Sequence, residues 1–544
     1  MKKLTALILA LVMVLLVGCG GAAETKTEAP AAAESSQATE TKTEAPAAAE
    51  SGRTDINLAL NQVVETLNPY STTSLIDYQV HYQVYEGLFF YTDAGEFLPR
   101  VAKEFTVDET GTKYTVTLND GVKFHNGKDV TAEDVAWSLN FMARDGEYVA
   151  RRSTVSAFAD AVAVDDKTVE ITTSQPGASF MAALSNNCAI LSKEEFLAAE
   201  AAGTLGVEWV PMGTGPYVIT TYSPDTSIVM EAFPEYYRGE AAIKTVNYQV
   251  LLDNNSTAIA FEAGDLDFIS VPTAAWSGIS SNSDYNTYLS PTTHCSYFIV
   301  NTNKEGPLAD PLVRQALAYG MDREAMVYVA YDGIADVANS VFNPNTVFGG
   351  HTNEELEAAG IPTYEYNPEK AMELLAEAGY ANGVDIGTIL CINGSYWEKM
   401  STVFQDNMKD IGVTVAIELA DSAACRARRA EGDYDLATTG TSIVIEGSDI
   451  HRLARFVSEE DKKAGNTTDL NLSNQELEDL LQKAMVTMDQ DERRDVYLEV
   501  IRELNEELPF LFTFHKATPY AYAGDLTAEN IFTGGYFVYD MAWN

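Results

Sequence analysis

Between residues 114 and 118 apolar and polar positions alternate: Tyr114, Val116 and Leu118 on one side, Thr115 and Thr117 on the other. A period of two predicts a half-buried strand. Asn119–Asp120–Gly121 then turns the chain, and Val122 and Phe124 face inward again while Lys123 and His125 face outward. Asn126–Gly127 makes a second turn. From Thr131 the period lengthens to that of a helix, with Thr131 as cap, Asp134 at the capping-box position, and Val130 and Val135 at the staple positions. Val135, Leu139 and Met142 form one apolar stripe and Trp137 and Phe141 a second, so this helix is expected to pack between two elements. Every conspicuous residue here has a local structural role. His125 accordingly reads as a solvated strand residue and not as a metal ligand or catalytic base. Farther on, "GTGPY" (213–217) reads as a fixed loop and "PLVRQALAYGMDREAMV" (311–327) as one capped amphipathic helix.

The start of the chain has a different pattern. Lys2 and Lys3 precede an apolar stretch, Leu4 to Val17, shorter than the roughly 18 to 20 residues that cross a bilayer. It ends in "LVGC", which resembles the lipobox of bacterial lipoproteins, with cleavage before Cys19 leaving a lipidated cysteine. Residues 1–18 are thus expected to be a signal peptide. Residues 19–52 follow as a tether in which "ETKTEAPAAAES" occurs at 24–35 and again at 40–51. Such a segment has almost no large apolar side chains to offset the entropy of ordering it.

Length and composition bound the remainder. A chain of 544 residues, 46% hydrophobic, predicts two or three lobes with full cores. The net charge of −45 excludes a nucleic-acid partner, because phosphate binding needs a basic face, and it argues against electrostatic docking on an anionic membrane. Cys188, Cys295, Cys391 and Cys425 are widely spaced with no CxxC, so they are read as single thiols, one disulfide between them remaining open. HExxH, GxSxG, GxxxxGK[ST] and GxGxxG are all absent, and the six histidines show no pair at helix-face spacing. The chain is expected not to be an enzyme and to hold no cofactor or metal.

The stretch "LNDGVKFHNGKDVTAEDVAWSL" (118–139) closely resembles the signature of the family 5 extracellular solute-binding proteins, the peptide, nickel and opine receptors of ABC importers. Further blocks follow in the order of that family: "VYEGLFFY" (84–91), "MGTGPYVI" (212–219), "EYYRGE", "AFEAGDLDFI" (260–269), the segment 297–327, "NPEKAMELLAEAGY" (367–380) and "LPFLFTFH" (508–515). The resemblance spans about residues 55 to 544. It implies an α/β, bilobal periplasmic-binding-protein-like fold of the large three-subdomain type, with a hinge and an interlobe ligand cleft. Lobe I is expected over 53–305 with an accessory subdomain about 92–235, lobe II over 306–514, and a return to lobe I over 515–544. The partners implied are an ABC permease with its ATPase and, through the lipid, the outer face of the cell membrane. The receptor itself is expected to be a monomer.

The resemblance implies peptide as the leading solute, the commonest substrate class of that family, and the free amine of a peptide would need an acidic partner in the cleft. Peptide-binding relatives carry an aspartate for this in a Gly-Trp, two residues, Asp, two residues, Asp-Pro pattern. In "GTSIVIEGSDI" (440–450), Glu446 and Asp449 keep the acid spacing, but Glu replaces Asp, Ile450 replaces Pro and the Trp is missing. Glu86 of "VYEGL" is a further candidate anchor. An oligosaccharide or a nickel or metal-chelate complex are the alternatives. Trp276, Trp397 and Tyr396 are candidate platforms for a sugar.

Overall fold

The computed structural model describes residues 52–544 apart from 73, 144–154, 156, 206–208, 211, 345–348 and 443–473. An 11-stranded mixed sheet runs through these residues. Strands β1 (Asp55–Leu60), β2 (Thr245–Val250) and β3 (Phe268–Ser270) occupy one side, with β1 parallel to both its neighbours. Strand β4 (Tyr285–Val300) leads to the other side, where β5 (Val384–Ile392) lies parallel to both β6 (Val413–Ala420) and β7 (Leu436–Ser442). The return strand is β8 (Phe510–Ala523). Across the sheet the order is β6-β5-β7-β4-β8-β3-β1-β2, continued by Ser227–Ala232 and Tyr217–Ser223.

The cores divide along the same line. One gathers residues from Ile56 to Tyr248 together with Tyr520 to Trp543. Two others draw on residues between Cys295 and Phe514. In β1, Ile56, Leu58 and Leu60 are buried and alternate with half-buried neighbours, as a period of two requires. In β8, by contrast, every residue from Phe510 to His515 is buried, because both faces of this strand are covered.

β4 and β8 join the two sides of the sheet, β4 pairing outward with β7 and β8 with β3, and they do not pair evenly with each other. Tyr285 to Pro291 pair with Ala523 to Ala517 in regular register, and Cys295 then pairs with His515. Four steps along β4 (291 to 295) therefore face two along β8 (517 to 515), a bulge that bends the ladder. Pro291 and Pro519 lie beside it and cannot donate to the ladder. Side chains replace lost ladder bonds: Thr292 Oγ1 donates to the Lys516 carbonyl at 2.7 Å, and Asn343 Nδ2 donates to the Thr292 carbonyl at 2.8 Å.

A second, four-stranded sheet holds the 114–118 strand, which extends over Lys113–Leu118 with Tyr114, Val116 and Leu118 buried. After helix α1 (Leu75–Val84) comes α2 (Ala132–Ala143), with its cap as expected. Asp134 N donates to Thr131 Oγ1 and Thr131 N to Asp134 Oδ2, both at 3.2 Å. The second stripe also packs, Trp137 and Phe141 lying with ring centroids 5.1 Å apart against Phe196. The helix expected over 311–327 is two helices, α3 (Pro311–Gly320) and α4 (Arg323–Tyr331). Asp322 breaks it, its carboxylate accepting from Ala325 N at 2.9 Å and its own N–H bonding Asn407 Oδ1 at 3.0 Å. Cys188, Cys295, Cys391 and Cys425 are buried free thiols.

The "GTGPY" loop is fixed by contact. A Cβ on Gly213 would lie 2.1 Å from the Val84 carbonyl oxygen, and one on Gly215 2.8 Å from it, so the loop presses directly on the end of α1. Gly213→Ala is expected to destabilise the fold by about 1–3 kcal/mol, the usual cost of overpacking. A lowered midpoint in chemical denaturation checks it, and an unchanged midpoint contradicts the close packing.

Candidate functional site at the strand crossing

In open α/β sheets ligands bind beyond the carboxyl ends of the parallel strands. At that edge of β1 and β3 lies a cavity of about 570 Å³, lined among others by Asn61, Gln62, Ser270, Thr518, Tyr520 and Tyr536. Thr518 and Tyr520 come from β8, two residues apart and therefore on one face of the strand. Lys516 is the next residue on that face. It points among groups from the carboxyl ends of β5 and β7.

That second group is built as follows. β5 ends at Ile392, a short turn follows, and Tyr396 opens helix α5 (Tyr396–Asp410). The Tyr396 hydroxyl lies 3.1 Å from Ser296 Oγ and 3.3 Å from His294 Nε2. His294 Nδ1 lies 3.0 Å from Ser442 Oγ, at the last residue of β7. Gly440 makes room for this, since a Cβ there would meet His294 Nε2 at 2.4 Å. The Lys516 ammonium sits 3.9 Å from the centroid of the Tyr396 ring and 5.5 Å from that of Tyr331. Burial pushes Lys516 down to about 8. His294 is held at about 3, chiefly by burial and then by the charge of Lys516, so it is neutral.

The residues expected from sequence fall in different places. Tyr396 is in this cluster, and Trp397 packs on it at 4.7 Å with its indole N–H buried and unpartnered. Trp276 packs, partly buried, against the small core around Phe261 and Ile279. Glu86 is far from the crossing in its contacts. Its carboxylate accepts from Tyr236 (2.7 Å), Tyr237 (3.2 Å) and Thr214 (3.1 Å), with Arg100 Nε 3.9 Å away. Burial raises its pKa against the opposing pull of Arg100. The cavity beside it is about 60 Å³, room for water and not for a peptide. Glu446, Asp449 and Cys19 lie outside the described residues. Lys516 and His294 were missed by sequence reading. The available signal was a lysine closing the buried run "FLFTFHK".

The family model for bacterial extracellular solute-binding proteins, family 5 Middle, matches residues 96–461. The chain belongs to that family. Among curated relatives, the glutathione-binding protein GsiB of Salmonella typhimurium (strain LT2) is 27% identical over 496 residues, covering 90% of this chain and 94% of that protein. Among solved structures, HbpA2 from Haemophilus parasuis matches with a TM-score of 0.78 at 24% identity, over 90% of this chain and all (100%) of that one. A dipeptide-binding protein from Pseudoalteromonas sp. SM9913, in complex with Met-Leu, matches with a TM-score of 0.71 at 22% identity, over 90% and 100%. The fold is therefore the bilobal α/β fold of family 5 receptors, which work with ABC permeases. The relatives are extracytoplasmic solute-binding proteins, not enzymes. Among the described residues no helix is long and apolar enough to cross a membrane.

His125 corrects one expectation. It is not solvated: its Nε2 lies 3.0 Å from the Gly215 carbonyl, its own N–H donates to Gly213 O at 3.0 Å, and its ring packs edge-on to Phe233 at 5.2 Å. The reason is long-range, because the "GTGPY" loop folds over it from 90 residues away. Burial depresses its pKa to about 4, so in the fold Nε2 donates from a neutral ring. The unfolded chain binds that proton below about pH 6.5, so stability from this group is present above that pH and is lost as pH falls toward 4. In His125→Gln, whose amide can still reach Gly215 O, the dependence of unfolding free energy on pH between 6.5 and 4 should be shallower by about 1.4 kcal/mol per pH unit. Denaturant titrations across that range check it, with solute affinity at pH 7 unchanged.

Proposed function

We propose that this family 5 receptor captures short peptides and delivers them to its ABC permease. The observation that carries the reading is the cavity of about 570 Å³ at the ends of β1 and β3. Its size falls in the range of small-ligand pockets. Beside one acid (Glu65), Asn61, Gln62, Ser270 and Thr518 wall it with uncharged donors and acceptors, which suit the amide groups of a peptide main chain whatever its side chains. The names of relatives point the same way: one binds glutathione, itself a peptide, and one holds Met-Leu. Glu446 and Asp449 are proposed, on the sequence pattern alone, as acids for the free amine. Lobe boundaries near residues 305 and 515 belong to the same proposal, as does a monomeric receptor.

Mass spectrometry of solute released from the purified protein, followed by calorimetric titration of what is found, tests this. Intact di- or tripeptides binding with a dissociation constant of about 1 μM or tighter are expected. Recovery of an oligosaccharide or a nickel–histidine complex, with no heat from peptides, would overturn the peptide reading.

Lipid anchoring at Cys19 is also proposed. Cys19→Ala should move the folded body from the membrane fraction to the soluble fraction. A variant that still sediments with membranes like the wild type contradicts the lipoprotein reading.

A further inference from the structure

Most lysines that the structure places in contact with charge face a carboxylate, as Lys123 faces Glu235 at 2.6 Å and Lys304 faces Asp435 at 2.5 Å. Lys516 does not. Among the described residues no carboxylate oxygen lies within 4 Å of its ammonium, in a chain with 80 acidic and 35 basic residues. Its neighbours are two tyrosine rings, Tyr396 from α5 and Tyr331 from α4. The remaining groups around it are neutral: His294 on β4, at about 3, and its chain neighbour His515, at about 4. Asp336, on the strand Ala335–Val337 that pairs with this part of β8, is exposed and makes no ion pair with it. Ring faces attract an ammonium, but more weakly than a desolvated carboxylate does. A partly buried cation without a counter-charge is costly, and it makes physical sense where a ligand brings the charge in. Lys516 also occupies the face of β8 whose next two residues, Thr518 and Tyr520, line the cavity.

We propose that Lys516, held between Tyr331 and Tyr396 at the crossing of β4 and β8, is the seat for a carboxylate of the bound solute. This rests on the peptide reading, and it fixes the direction of the peptide, with its acidic end at the strand crossing. The same chemistry serves a terminal carboxylate or an acidic side chain.

The test is calorimetric titration of wild type and Lys516→Met with trialanine, trialanine amide and Ala-Glu-Ala amide. In wild type trialanine should bind at least ten-fold tighter than its amide, and Lys516→Met should bring the two together. If Ala-Glu-Ala amide matches trialanine in wild type and falls in Lys516→Met, the seat stands and takes a side-chain carboxylate. At pH 8.5, above the value near 8 of the empty site, seating a carboxylate returns a proton to Lys516. Trialanine should therefore take up more protons than its amide in buffers of different ionisation enthalpy, a difference that Lys516→Met abolishes. The amide comparison in wild type needs no variant to fold. Equal binding of acid and amide by wild type, or a preference for the acid that survives in Lys516→Met, overturns the seat and leaves the peptide reading standing. No binding of any of the three by wild type removes both.

Discussion

The structure depends on one pair of strands that cannot keep register. β8 enters cores on both sides of the sheet with β4 paired along it, and between Pro291 and Cys295 their ladder takes in two extra residues. A regular ladder through this point would make the two sides one stiff plate. The bulge and the two prolines loosen it locally, and side-chain bonds from Thr292 and Asn343 hold the Lys516 and Thr292 carbonyls there. Bending confined to a few residues between well-packed bodies is what a hinge requires. The Lys516 cluster lies beside that point, and a solute reaching from the cavity to it would touch groups from both sides.

Electrostatics at the crossing follows from burial. His294 and His515 are stripped of water and stay neutral, and Lys516 is pushed down but keeps its charge at neutral pH. The large negative charge of the chain does not reach strongly into this spot, because exposed charges are screened within about 8–10 Å. One cation among rings and neutral imidazoles then dominates the local field. The contrast with Glu86 is instructive: it too is buried, but three hydroxyls and Arg100 surround it, and its charge is spent inside the fold.

What the sequence made legible was local. The strand at 114–118 and the cap at Thr131 are set by residues within four positions of one another, so periodicity and capping chemistry show them. The fold class came from motif blocks, most of which prove to be structural: "VYEGL" and "GTGPY" meet through Gly213, Gly215, Glu86 and Thr214. What was illegible was brought together over distance. His125 faces outward in its own hairpin and is covered by a loop 90 residues on. Glu86 looked like a free acid until partners 128 to 151 residues away claimed it. The break at Asp322 depends on Asn407. Lys516 meets Tyr331, Tyr396 and His294 only because β4 and β8 lie side by side, which no spacing in the sequence records.

On the proposed function, the two sides of the sheet bend about the β4–β8 crossing and close on a peptide. Small-angle scattering of the protein with and without a peptide shown by calorimetry to bind measures this directly. A smaller radius of gyration is expected with peptide present, as is loss of that change when β4 is made regular by deleting two residues of the Thr292–His294 bulge in a variant that still folds. A radius that stays the same while the peptide is bound at saturation would contradict it.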